Sequence, residues 1–416
     1  MKVIIVGAGP SGLLLALFLG KQGISVDILE KAADLDKQPR ATHYSAPAAY
    51  ELQRAGVLDD IYSRGGFVPS GVCWRNLDGT KLGGLKVKEV YPEDYPYKLV
   101  CYPLDVLGPL LYEHILRESN VRVHWSHNVV KVEQDDSSAW VEVETPQGRS
   151  KITADYVVGC DGARSIVRRE LFGEQFPGFT WYEQIVATNT YYDFDQFGWE
   201  DSNFIIHPEH YFMAARISPH RGKEALWRIT YGELPGLTAE ELKARQPEKF
   251  QLFLPGHPEP DQYKIKSFSP YKIHQRCALK MRVGRVLLAA DAAHLCNPFG
   301  GLGLVGGITD VGGLADCLIG IHHGLADDSI MDHYDQVRRD IYYTTINPMS
   351  SENFMRVCRQ DAEHALKHDG FFKVCEKAEA DRDFARGLQT GLLGLLQHDF
   401  TQYYKKTANG HTGIAA

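Results

Sequence analysis

Gly7-Ala8-Gly9-Pro10-Ser11-Gly12 has the residue types and spacing that bring backbone against a phosphate. Gly7 permits a tight turn, Gly9 lets the main chain approach a pyrophosphate, and Gly12 lets a helix pack close on the preceding strand. The helix opening at Ser11 presents free N–H groups and the positive end of its dipole to the phosphates. Glu30, 18 positions beyond Gly12, can accept the hydroxyls of an adenosine ribose, and Lys31 follows it. This pattern indicates a dinucleotide and does not separate NAD from FAD. Two further segments carry the same kind of information. Val157-Val158-Gly159-Cys160-Asp161-Gly162-Ala163-Arg164-Ser165 is a strand running into a turn. Gly284-Arg285-Val286-Leu287-Leu288-Ala289-Ala290-Asp291-Ala292-Ala293-His294 continues through Asn297-Pro298-Phe299-Gly300-Gly301-Leu302-Gly303-Leu304-Val305 to Asp310. Asp291 ends an apolar strand, so its carboxylate projects from the carboxyl end of a sheet, where ligands bind in such folds. Gly300, Gly301 and Gly303 leave room for a flat ring against backbone, with a helix starting there.

These residues need elements to hold them. Lys2 to Val6 reads as a buried parallel strand, Ser11 to Gln22 as a Leu-rich helix, and Ile24 to Leu29 as a second strand, completing a βαβ unit. Helical patterns follow over 40–58 and 103–117. Residues 60–102 read as loops and short strands, and 121–158 as a β-meander turning at 135–138 and 146–148. Fourteen of the 56 residues in 176–231 are aromatic, which, with alternation, marks a second, sheet-based domain. Residues 239–255 read as a polar insertion. The apolar strand pattern returns at 284–291, one or two helices occupy 301–345, further helices 348–403, and the tail frays from Thr407. The nucleotide half is therefore built from separated segments, 1–75, 100–175 and 275–345. An inserted sheet domain spans 76–99 and 176–274, and a helical region 346–416.

Composition excludes several classes. With 416 residues, 44% hydrophobic and 24% charged, the chain is long enough for two or three domains and is not disordered. A net charge of −8 argues against nucleic-acid partners, which demand a basic surface. No apolar run approaches a membrane span, and the N-terminus lacks a signal-peptide pattern. Eight scattered cysteines with no C-x-x-C read as reduced thiols, hence a cytoplasmic protein. His364 and His368 have a metal-compatible i, i+4 spacing but no third ligand nearby, so no metal is assigned.

Taken together, the three segments resemble the single-component FAD-dependent aromatic hydroxylases related to p-hydroxybenzoate hydroxylase. The resemblance is close over 1–60, 150–170 and 275–345. It implies an α/β fold: a Rossmann-like FAD-binding domain of the glutathione-reductase type, an inserted β-sheet substrate domain and C-terminal helices. It implies that Gly7, Gly9, Pro10, Ser11, Gly12, Glu30 and Lys31 hold the ADP part of FAD. Arg40 matches the cofactor-contacting Arg after the second strand. Asp161, Gly162 and Arg164 serve both FAD and the nicotinamide nucleotide. Asp291 and Ala292 face the ribityl chain, Pro298 lines the flavin edge where oxygen reacts, and Gly301, Gly303, Leu304 and Val305 surround the ring. A helix end pointing at the ring stabilises anionic reduced flavin by about 0.3–1 kcal/mol or more.

The chain departs from the family at Ala290 (usually Gly), Leu302 (often polar), Val305 (often Asn) and Pro103-Leu104 (usually Arg or Gln). A second G-x-G-x-x-G and a C-x-x-C, which disulfide reductases show, are missing, as is the Trp-x-Trp-x-Ile-Pro of flavin halogenases. On the substrate side, His207 and Tyr211, with His210, are candidates to line the site or act as a base on a phenol; a solvated turn around Pro208 is the alternative. Arg216, Trp227 and Tyr231 are candidate substrate contacts, with sheet packing as the competing reading. Arg276 and Arg282 can attract nucleotide phosphates or simply be solvated.

The expectation is an FAD-dependent monooxygenase that consumes NADPH or NADH and O2. It hydroxylates a small phenolic molecule through the family's flavin C4a-hydroperoxide, with non-covalent FAD and a transient nicotinamide nucleotide. It is a monomer or homodimer with no membrane span. The alternatives are epoxidation or Baeyer–Villiger oxidation on the same fold, a flavin reductase or dehydrogenase, and a non-catalytic binding protein.

Overall fold

The computed structural model describes residues 1–38 and 40–405. Lys2–Val6, Tyr156–Gly159 and Val286–Leu288 are short apolar runs, almost wholly buried, as the central strands of a parallel sheet must be. They lie in a six-stranded sheet in the order Arg282–Val283, Val286–Leu288, Tyr156–Gly159, Lys2–Val6, Ser25–Glu30, Val121–Trp125, antiparallel only at the first pair. The helices Pro10–Lys21 and Leu302–His322 pack on one another and share the largest hydrophobic core with this sheet. A three-stranded antiparallel sheet, Asn128–Gln134, Ala139–Thr145 and Gly148–Ala154, contributes Val129, Val141 and Val143 to the same core. The expected meander is thus limited to these three strands, and its flanking segments join the parallel sheet. Leu302–His322 is long and apolar enough to cross a membrane, yet it is mostly buried inside the protein as a core helix.

The second sheet has eight strands: His294–Leu295, Lys264–Cys277, Gly178–Tyr191, Leu226–Glu233, Phe212–Arg216, Ser202–Ile206, Gly71–Asn76 and Lys81–Lys86. Gly71–Asn76 pairs in parallel with Ser202–Ile206, so the position 75/76, expected as a boundary, falls inside a strand of this sheet. The expected helix over 40–58 starts only at Ala46, with Pro47 in its first turn. Ahead of it, His43–Tyr44 pairs with Val100–Cys101 as a two-residue strand. The 239–255 segment is a helix, Ala239–Phe253, opened by a Thr238/Glu241 capping box. Its Leu242, Phe250 and Phe253 pack on Trp227, Ile229 and Tyr231 of the second sheet. Its sequence looks polar because only one face is buried. After Ile330–Ile341 the chain passes through a π-turn, Tyr342–Ile346, into Asn347–Cys358, followed by Ala362–His368, Phe371–Ala380 and Arg382–Leu396. The tail from Thr407 lies outside the described residues.

Candidate active site

A cavity of about 1450 Å³ opens between the carboxyl ends of the parallel strands and the eight-stranded sheet. Small-molecule sites usually hold about 300–1,000 Å³, so this one has room for more than one ligand.

At one end the backbone forms a phosphate cradle. Gly7 has φ +104°, a conformation that disfavours any side chain, and a Cβ on Gly12 would collide with the Gly7 carbonyl oxygen. A Cβ on Gly9 would meet nothing, which leaves open space against the main chain. The helix Pro10–Lys21 starts there with no side-chain cap and no acidic residue in its first turn, so its N–H groups remain for a ligand. Glu30 accepts from the Ala8 and Ala32 amides at 2.8 and 2.9 Å, which fixes its carboxylate at the cavity wall. Arg40 lines the cavity and pairs with Asp36 at 2.9 Å.

Further in, Asp161 accepts from the Ile166 amide at 2.6 Å through one oxygen, while its Oδ1 is buried without a hydrogen-bond partner. Burial raises its carboxyl above the usual range. Such an orphan acceptor suits a donor supplied by a ligand. Asp291 opens into the lumen, and burial of the surroundings raises its carboxyl against the pull of His294 and Arg40. The turn carrying it is held from behind. Ala290, at φ +56°, donates its N–H to Asp310 Oδ2 at 3.0 Å. His294 Nε2 meets the same oxygen at 2.7 Å, and Arg338 Nε donates to the other at 2.7 Å. Burial alone would raise the Asp310 carboxyl; His294 and Arg338 overcome it and hold it at about 2. The left-handed φ at 290 is a conformation that Gly adopts without strain.

The helix Leu302–His322 begins at Gly301 (φ +69°), again without a side-chain cap, and points its N-terminus into the cavity beside Gly300, Gly303, Leu304 and Val305. Two uncapped helix N-termini, a ribose-facing carboxylate, an orphan carboxylate and a glycine-lined slot fit FAD. Of the residues expected to hold it, Gly7, Gly9, Pro10, Ser11, Glu30, Lys31, Arg40, Asp161, Gly162, Arg164, Asp291, Pro298, Gly301, Gly303, Leu304 and Val305 all line this cavity. Gly12 does not, in keeping with its packing role. Ala292 does not either: it is fully buried, and its carbonyl accepts from Arg168 at 2.9 Å. Leu104 also lines the cavity.

The other end of the cavity is a face of the eight-stranded sheet. Ser202, Ala215 and Arg228 are direct cross-strand neighbours, and all three line the cavity. Two positions along, Trp74, Phe204 and Met213 form a second, apolar row. Tyr271 joins the wall beside Arg228, with which it shares a side-chain hydrogen bond. His43 completes it from the short His43–Tyr44 strand.

The substrate-side candidates read from the sequence lie elsewhere. Trp227 and Tyr231 are fully buried on the opposite face, beneath the Ala239–Phe253 helix. Arg216, across from Trp227, is bound to Asp201 at 2.7 and 3.0 Å in a buried ion pair. Strand side chains alternate faces, so the parity of Arg216 and Trp227 excludes them, while Ala215 and Arg228, one residue on, face the lumen. His207 accepts from the Glu209 and His210 amides and stacks on His210, shaping the turn around Pro208 away from the cavity. Tyr211 is buried against Phe299 and Phe354, and burial raises its hydroxyl far above the ordinary value. Arg276 binds the Phe176 carbonyl, and Arg282 pairs with Asp328 and Asp332. His364 and His368 pack with their rings tilted at 45°, and no metal-holding group of three His, Cys, Asp or Glu occurs among the described residues.

Comparison with known proteins agrees with this geometry. The FAD binding domain family model matches residues 1–347. The chain is 38% identical over 385 residues to a para-nitrophenol 4-monooxygenase of a Pseudomonas species (strain WBC-3), covering 92% of this chain and 93% of that one. It is 35% identical over 360 residues to the 6-hydroxy-3-succinoylpyridine 3-monooxygenase HspB of Pseudomonas putida strain S16, covering 86% and 89%. The crystal structure of p-nitrophenol 4-monooxygenase PnpA from Pseudomonas putida DLL-E4 superposes with a TM-score of 0.88 at 35% identity, covering 95% of this chain and 98% of that one.

Proposed function

The chain belongs to the FAD binding domain family, and from that membership we infer an FAD-dependent monooxygenase that hydroxylates the ring of a small phenolic substrate. The observation that carries this reading is one cavity with a dinucleotide cradle at one end and a wall of mixed polar and aromatic side chains at the other. The names of the relatives, a nitrophenol and a hydroxypyridine monooxygenase, support the same substrate class. In this reading FAD is held non-covalently by segments 1–70, 100–175 and 275–345, and the inserted eight-stranded sheet binds the substrate.

FAD, when bound, would supply the redox chemistry that couples NADPH or NADH and O2 to oxygenation of the ring. The chain supplies position and charge. Gly7–Gly12 and Glu30 would hold the ADP portion, and Asp291 the ribityl chain. The helix end at Gly301–Gly303 favours negative charge on the ring system. Trp74, Phe204 and Met213 exclude water from the substrate and offer it flat apolar surface. Arg228 and Tyr271 offer a cationic, hydrogen-bonding end for its polar substituents. Eight free cysteines, seven of them buried, support a reducing, cytoplasmic setting.

The test is aerobic oxidation of NADPH and of NADH by the purified yellow protein with a panel of phenols. Substrate-stimulated oxidation that yields a product one oxygen heavier is expected. Oxidation that is never stimulated by any phenol, or that yields only hydrogen peroxide, counts against the reading.

A further inference from the structure

The cavity wall contains a histidine with a hydrogen-bonded threonine behind it. His43 Nδ1 lies 2.7 Å from Thr42 Oγ1. In the tautomer that donates Nδ1–H to Thr42 Oγ1, the Nε2 lone pair of His43 is left at the cavity wall. Its protein neighbour there is the Ser202 hydroxyl at 3.4 Å, a long contact that a better donor displaces.

We propose that His43 is the proton acceptor for the hydroxyl of the phenolic substrate, with Thr42 as the residue that orients its ring. The inference rests on the function proposed above. The site selects a substrate that brings a hydroxyl donor to Nε2. As the ring is attacked, the O–H bond breaks and its electron pair stays on oxygen, feeding the ring. The proton moves to Nε2, and it returns to the product oxygen before release. No oxidant or reductant enters this step.

The surroundings agree. Burial, opposed by Asp201 and reinforced by Arg216, lowers the His43 imidazole to about 4, so it is neutral and able to accept at working pH. Negative charge forming on the substrate oxygen raises its basicity when the proton moves. The charged groups around it are the Asp201–Arg216 pair and, on the far side of Asp201, Arg221. Cys101 is the paired residue on the neighbouring strand; burial raises its thiol to about 12, so it stays neutral and donates to the Arg216 carbonyl oxygen at 3.3 Å.

The test compares wild-type holoenzyme with His43→Gln and Thr42→Val, using phenol, 4-chlorophenol and 4-nitrophenol, whose hydroxyls are increasingly acidic. Binding to the oxidised holoenzyme is followed by flavin difference absorption, and turnover by product formation. His43→Gln is expected to lose about 10²-fold or more with phenol, the range of general-base contributions. It should lose only severalfold with 4-nitrophenol at an alkaline pH where that substrate is already ionised. Thr42→Val should show the same dependence on acidity with a smaller loss. Wild-type turnover of phenol should fall at acid pH as His43 protonates, a limb absent from His43→Gln. If His43→Gln binds FAD and 4-nitrophenol normally and loses nothing, or loses equally across the series, the proposal is overturned while the function stands. If the wild type oxygenates none of the three, the function fails and the proposal falls with it.

Discussion

Ala290 is held at φ +56° by its N–H bond to Asp310, a conformation that costs a non-glycine residue about 1–2 kcal/mol. Gly loses about half of that gain to its greater freedom in the unfolded chain. Ala290→Gly is therefore expected to raise stability by about 0.5–1 kcal/mol, read as a small upward shift of the thermal midpoint. Next to it, Asp291→Ala removes a charged hydrogen-bond acceptor from the lumen. FAD affinity should fall at least about tenfold in a fluorescence titration of the apoprotein. Asp310 works through pH. Its folded carboxyl sits at about 2, below its ordinary value of about 3.9, so its contribution is present above about pH 4 and is lost as pH falls toward 2. Thermal midpoints measured across that window should drop more steeply for wild type than for Asp310→Asn. The variant should already be weaker by about 3–5 kcal/mol at neutral pH, because His294 and Arg338 lose their buried partner. The glycines and carboxylates at this end of the cavity could be read from the chain because such a cradle demands them at a fixed spacing from a strand end. His43 could not. Its meaning depends on its place at the cavity wall beside Ser202, 159 positions away, a place set by the pairing of two two-residue strands.

The helix Ala239–Phe253 decides which face of the eight-stranded sheet is core and which is site. The strand sequences announce alternation, but both faces carry aromatic side chains, so alternation alone does not say which face is which. Once that helix covers Trp227, Ile229 and Tyr231, the face bearing Ala215 and Arg228 is left for the cavity. Reading 239–255 as an insertion removed the one element that settles the question. Its capping box and its Leu242, Phe250, Phe253 face were present in the sequence as a signal. Phe250→Ala, in this covered core, should cost about 3–5 kcal/mol in urea unfolding. It should leave the affinity for FAD, bound by other elements, near the wild-type value. The strand–turn–helix at the N-terminus behaves in the opposite way. Gly12→Val drives a side chain into the Gly7 carbonyl, and the expected outcome is protein purified without yellow colour.

At the scale of the whole molecule, the chain crosses between the parallel sheet and the eight-stranded sheet several times, and the cavity exists only where the two meet. The nucleotide part was legible because each of its three segments pairs a strand end with a glycine turn. The crossing at Gly71 was not, because the hairpin Gly71–Asn76/Lys81–Lys86 joins the rest of its sheet only through Ser202–Ile206, more than a hundred residues later. The consequence for function is that one lumen places cofactor cradle and substrate wall in contact, which a reductase serving an external acceptor does not need. The direct test is turnover of a phenol by the purified flavoprotein with NADPH under ¹⁸O-labelled dioxygen. The account predicts one labelled oxygen in the product, with NADPH consumption coupled to product formation. A product carrying oxygen from water, or NADPH oxidation that proceeds unchanged without dioxygen, would contradict it.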